Sequence, residues 1–235
     1  EFHDLGSMPY RFRMDPEFAE AYAQAGRARG LHTRTVAYRG FPIDTATVVA
    51  LQLLNPDNRI PAGVVSCNVY SDRAETVVLG KAAADAIAAS GKRVVCIAAT
   101  ALSNRMFTHD IPHDQDRVHS LKDDEWNRKI LEFLGKGRLE DVSQLARPFT
   151  HEANADNKFK AVWWLAAVMG QTNNYEGEVY AYEPIWGTGA TVVRLTPTER
   201  SAADLEFDEA DVEVYQGDRG VLSTNTTDGV PDGVE

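Results

Sequence analysis

The chain has 235 residues, 43% hydrophobic and 25% charged, and its 24 Lys and Arg against 35 Asp and Glu give a formal charge of −11. That is the make-up of an ordinary soluble protein with material for one sizeable core. The acidic balance argues against a nucleic-acid binder or a polybasic membrane anchor, and no apolar run approaches the ~18 residues of a membrane span.

In chain order, Glu1–Ser7 reads as a short non-native scar before an initiating Met8, or the whole chain is an internal fragment of a longer protein. No signal-peptide pattern is present. Asp15–Gly30 is alanine-rich with helical spacing and closes on Gly30. Thr33–Tyr38 alternates as a strand does. Thr45–Leu54 has apolar residues at helical spacing and stops before Pro56, and Ala62–Asn68 is a short apolar run that suits a buried strand. Arg73–Ser90 predicts a long helix closed by Gly91, and Arg93–Ala99 (RVVCIAA) is the plainest buried strand. Asp123–Leu134 is an amphipathic helix with Asp123 and Asp124 at its positive end. Leu139–Leu145 predicts a short helix, and Asn157–Met169 a longer one carrying Trp163 and Trp164, one of which should be core. Glu178–Ile185 and Ala190–Leu195 predict two strands joined by Gly187-Thr188-Gly189.

Residues 196–235 read as an acidic, extended or disordered tail, low in large apolar residues. Within it, residues 201–235 hold ten Asp and Glu against Arg219 alone, so most of the chain's charge sits there and the body, 1–195, is nearly neutral. Val212, Val214 and Tyr215 suit one short edge strand. The alternation of strands and helices predicts an α/β fold, a central mixed or parallel sheet flanked by helices. Ligand loops in such folds lie at strand carboxyl ends, here Asn68–Arg73 and Thr100–Phe107.

No constellation in the sequence forms a self-sufficient catalytic set. His109, His113 and His119 share a segment with Asp110, Asp114 and Asp116, but Pro112 breaks any helix that would align them and no zinc spacing is matched. A solvated loop is the plainer reading. Gly187-Thr188-Gly189 is too short for a phosphate loop and reads as a hairpin turn. Cys96 lies in an apolar run and reads as an inert thiol, Cys67 ends a strand without a paired His, and two cysteines suit a reduced, cytoplasmic protein. Ser103-Asn104, after a buried strand, is the best-placed polar pair.

Six runs carry a family resemblance: Gly40–Val49 (GFPIDTATVV), Ser66–Tyr70 (SCNVY), Ala98–Asn104 (AATALSN), Asp123–Arg128 (DDEWNR), Glu152–Lys158 (EANADNK) and Gly187–Gly189 (GTG). In this order they resemble the class III, LigB-type extradiol ring-cleavage dioxygenases over residues 2–195. Within that superfamily they come nearest to the non-catalytic α subunit of the 2-aminophenol 1,6-dioxygenases. The resemblance implies a LigB-like α/β fold lacking its N-terminal part. It also implies a non-haem Fe(II), held in the assembled enzyme by two His and one carboxylate with positions open for substrate and O2. Both His would lie upstream of the matched region, which favours the fragment reading.

At the place of the family's acid/base His this chain has Asn104, which does not shuttle protons near neutral pH. At the place of the iron Glu it has Asp156, one methylene shorter, and Ser103, Asn68 and Tyr70 fall on the substrate side. The resemblance therefore implies a non-catalytic structural subunit that binds no iron itself. It would assemble with a related catalytic subunit, or with itself, to open a small aminophenol- or catechol-type ring. Two alternatives are an active dioxygenase whose iron His lie upstream, and a non-enzymatic assembly module, to which the acidic tail points.

Overall fold

Helix starts follow the carboxylates and hydroxyls that stand before each helical run. Asp15 accepts from Phe18 N at the start of α1 (Pro16–Ala28), Asp44 from Thr47 N at α2 (Thr45–Leu54), Asp72 from Glu75 N at α3 (Arg73–Ser90), and Ser120 from Asp123 N at α4 (Leu121–Gly135). Each such cap contributes about 1 kcal/mol. The computed structural model describes residues 10–37, 43–66 and 68–199. The expectations for Glu1–Ser7, Met8, Cys67, residues 200–235 and the Val212–Tyr215 strand lie outside the described residues.

α3 closes on Gly91 in the left-handed region (φ 62°), as expected. α5 (Leu139–Ala153) runs well past Leu145 and through Pro148. Its buried stripe of Leu139, Val142, Leu145, Ala146, Phe149 and Ala153 continues at helical spacing, and that burial outweighs the hydrogen bond Pro148 cannot make. α6 (Lys160–Val168) begins later than Asn157, because Asn157, Lys158 and Phe159 all take left-handed backbone (φ 48°, 57° and 59°) in a 3-10 segment, Asp156–Phe159. β1 (Tyr175–Ile185) and β2 (Thr188–Pro197) form an antiparallel hairpin with an irregularity between Val179 and Ala181. Trp186 and Gly187 at its tip both have positive φ, the pattern of a two-residue type I′ turn.

The core lies among α3, α4, α5 and α6, with Val78, Ile130, Val142 and Phe149 at 0% exposure and Trp163 at 3%. α3 and α6 approach closely at Gly80, where a Cβ would lie 2.6 Å from Ala167 Cβ. α1 adds a smaller cluster of Tyr22 with Ala82, Ala83 and Ala86.

The architecture is α/β, but the sheet is smaller than the sequence suggests. Among the described residues, the expected strands at 33–37, 62–66 and 93–99 join no ladder, and the single sheet is the β1–β2 hairpin. A buried strand needs neighbours on both edges. Here Ala62 makes only an isolated bridge to Met14, and residues 93–99 make no backbone–backbone hydrogen bond among the described residues. Val95 is consequently 85% exposed despite its apolar neighbours. No helix among the described residues is long and apolar enough to cross a membrane.

Candidate functional site

The loop after residues 93–99 meets two other stretches of chain. Leu102 N–H donates to Gly189 O (3.0 Å) and Gly189 N–H donates to Ser103 O (3.1 Å), which ties the loop to β2. On its other side Ser103 bridges Ala155, Asp156 N–H donates to Leu102 O (2.9 Å), and Asn104 N–H donates to Asn154 O (2.9 Å). The Asn154 amide returns a bond to Asn104 O at 2.9 Å. These backbone ties bring Asn104 and Asp156 together.

Asp156 Oδ1 accepts from Asn104 Nδ2 at 2.8 Å, and its Oδ2 accepts from the Thr100 hydroxyl at 2.9 Å and from Ala101 N–H at 3.3 Å. Three donors thus converge on one carboxylate. Ser103 is turned inward: it is 0% exposed, its N–H donates to Asn127 Oδ1 (2.9 Å), and its Oγ accepts from Asn127 Nδ2 (2.8 Å).

Asn127, on the buried face of α4, is a central support that sequence reasoning left unassigned. Its Nδ2 also donates to Tyr182 Oη (3.0 Å), which donates to Asp124 Oδ1 (2.7 Å), and Arg128 pairs with Asp124 at 2.8 Å. Burial opposes the charge of Asp124, but bonds from Arg128 and Tyr182 outweigh it and hold its carboxyl below the usual range. Burial first, then the bond to Asp124, pushes the Tyr182 hydroxyl up to about 12. A polar Asn in register with the apolar helical stripe Ile130, Leu131 and Leu134 is the sequence signal for such a buried contact.

Asn68 and Tyr70 lie elsewhere. Asn68 Oδ1 accepts from Tyr70 N (2.9 Å) in a tight turn, and Lys160 Nζ donates to Asn68 O and Val69 O (2.8 and 2.7 Å). Tyr70 is 93% exposed at the rim of a cleft near the start of α6, and no hydrogen bond joins either residue to Asp156 among the described residues. His109 and His119 pack on Phe107 (5.7 and 5.3 Å between ring centroids) with Arg117 over the same ring. Cys96 is a free thiol that burial pushes up, as suits an unreactive sulfur.

Iron of the facial type needs two His and a carboxylate around one point. Among the described residues no three His, Cys, Asp or Glu side chains gather in that way, and both oxygens of Asp156 already accept hydrogen bonds. The described residues alone therefore do not fit the metal.

With this geometry in place, the chain's likeness to known proteins is specific. Residues 1–193 match the sequence pattern of the family described as "Catalytic LigB subunit of aromatic ring-opening dioxygenase". The chain is 32% identical over 197 residues to a 2-aminophenol 1,6-dioxygenase alpha subunit from a Pseudomonas sp, covering 83% of this chain and 72% of that protein. It is 34% identical over 203 residues to a beta subunit of the same name from a Pseudomonas sp, covering 82% of this chain and 66% of that protein.

Proposed function

This chain belongs to the LigB family of aromatic ring-opening dioxygenases, and we propose that within it the chain is the non-catalytic subunit of a non-haem iron extradiol enzyme. That enzyme opens an aminophenol- or catechol-type ring with O2, and this chain assembles with a related catalytic subunit. The observation that carries the reading is the Asn104–Asp156 pair at 2.8 Å. Where the family resemblance expects a proton-shuttling His, an amide that does not titrate is committed to a carboxylate. Where it expects an iron ligand, the carboxylate is shorter and occupied by three donors. Both substitutions turn a reacting pair into a static one. In this role Asn104 and Asp156 stitch loop 100–104 to the segment after α5, and Ser103 and Asn127 anchor the same loop from below. The similarity to an alpha subunit and to a beta subunit supports a two-subunit assembly.

The test is oxygen uptake with 2-aminophenol, and iron content, for this chain purified alone and co-expressed with a related beta-type subunit. The reading expects neither iron nor uptake from the chain alone, and both from the pair. Stoichiometric iron and O2 consumption by the chain alone would refute it. One observation favours a second reading, an active dioxygenase that draws its iron His from sequence outside these 235 residues: the identity to the beta subunit, 34%, is as high as that to the alpha subunit. In that reading Asp156 completes the iron set, and iron binding by a longer chain would depend on it.

A further inference from the structure

Segment 93–99 presents a run of backbone N–H and C=O groups that have no backbone–backbone partner among the described residues. Its side chains alternate as those of an extended strand do. Cys96 and Ala98 are half-buried, whereas Arg93, Val95, Ile97 and Ala99 on the opposite face are exposed, Val95 to 85%. An apolar edge of this kind is a template for another strand, and folded proteins cover or block such edges. Between Val94 and Ala99 there is no Pro and no charged side chain to block this one.

The amino end of the segment is basic. Lys92 pairs with Asp15 at 2.5 Å, Arg13 acts on the same carboxylate, and Arg93 makes no ion pair among the described residues. Three cations thus stand around one carboxylate. The complementary charge lies in the same chain. Residues 201–235 hold ten Asp and Glu against Arg219, and within them Asp211-Val212-Glu213-Val214-Tyr215 alternates acidic or aromatic residues with valines.

We propose that residues 211–215 add to segment 93–99 as a strand. Val212 and Val214 lie on the face of Cys96 and Ala98, and Asp211 and Glu213 on the face of Arg93. Tyr215 shares that outer face with Val95 and Ile97, as cross-strand neighbours do. The pairing stands apart from the ring-opening reading.

The chain length allows it. Lys160 at the start of α6 bonds the carbonyls of Asn68 and Val69 before α3, and Val168 at the end of α6 packs on the Tyr22, Ala82, Ala83 and Ala86 cluster, so α3 and α6 run in the same direction. Segment 93–99 follows the far end of α3, and Thr198 N–H donates to Asn174 O (3.0 Å) just past the far end of α6. Residue 199 therefore lies on the side of the helix pair where the segment begins. Twelve residues on from there, at Asp211, the chain can have extended about 40 Å, farther than the ~27 Å length of α3 itself.

Hydrogen exchange of the full chain, followed by mass spectrometry, tests the pairing. Amides of 93–99 should exchange at least about tenfold more slowly than an unbonded segment, at a rate independent of protein concentration. Successive N–H groups of a strand point to opposite edges, so Val212→Pro with Glu213→Pro removes one donor to segment 93–99 in either register. That double variant should lose the protection, and so should Val214→Asp, which sets a charge on the inner face. Leu222→Pro with Ser223→Pro, farther along the same tail, should keep it. Unchanged protection of α4 and α5 shows that each variant remains folded. Unprotected amides at 93–99 in the wild type overturn the proposal, as does protection that persists in either variant at 212–214. Equal loss in the variant at 222 and 223 overturns the choice of segment. Protection that grows with protein concentration overturns the tail as occupant in favour of a second copy of the chain.

Discussion

Replacing Asn127 by Ala tests the support beneath the candidate site most directly. Asn127 is 0% exposed and makes three hydrogen bonds to two residues: it accepts from Ser103 N–H at 2.9 Å and donates to Ser103 Oγ at 2.8 Å and to Tyr182 Oη at 3.0 Å. Truncation leaves the buried Ser103 N–H without this acceptor, at about 1–3 kcal/mol, and removes two further bonds of roughly 1 kcal/mol each. A loss of about 3–5 kcal/mol follows, or roughly 6–20 °C in melting temperature for a protein of this size. The assay is urea unfolding of the wild type, Asn127→Ala, Tyr182→Phe and the double variant. Coupling of about 1 kcal/mol between the two positions is expected, because they share one hydrogen bond. Strict additivity, or a cost below about 1 kcal/mol for Asn127→Ala, would refute the view that this residue carries the loop.

Trp163→Ala should cost about 3–5 kcal/mol in the same assay, since its ring is 3% exposed and its Nε1 donates to Ser143 O at 3.0 Å. Trp164→Ala should cost less, because Trp164 is only partly buried, and it should also release Tyr22, whose Oη accepts from Trp164 Nε1 at 2.8 Å. Gly189→Ala should destabilise the junction, because the added Cβ would stand 2.3 Å from Asn127 Nδ2; a melting temperature equal to wild type would show that the two segments are not so close. The Asp124 carboxyl is held below its ordinary 3.8 in the folded state, so its stabilisation is present above 3.8 and is lost as pH falls through the lower folded value. Asp124→Asn should therefore narrow its stability gap from wild type under acid, and a gap that does not change across that window would count against the Arg128 and Tyr182 contacts.

The helices were legible because they carry local signals: a capping Asp or Ser, a 3.6-residue apolar stripe, and a glycine stop at Gly91. The expected end of α5 at Leu145 fell short, since the burial that carries the helix on through Pro148 belongs to tertiary packing. Segment 93–99 has the composition of a buried strand, but composition is silent about whether neighbours arrive to pair with it. At the site, Asn104 and Asp156 were found through the family pattern, yet their direct bond was not foreseeable from residues 52 positions apart. Thr100, Asn127 and Tyr182 were missed as supports because each acts through geometry set by β2 and α4 rather than through a motif of its own.

The left-handed run Asn157–Lys158–Phe159 bears on how this protein tolerates change. Asn occupies such backbone readily, but a lysine and a phenylalanine there cost roughly 1–2 kcal/mol each. Lys158→Gly would relieve that strain and remove the charge from the cleft in one step. A library screened only for heat resistance would therefore be expected to lose the lysine first, with the fold intact and one exposed cation gone from the segment before α6.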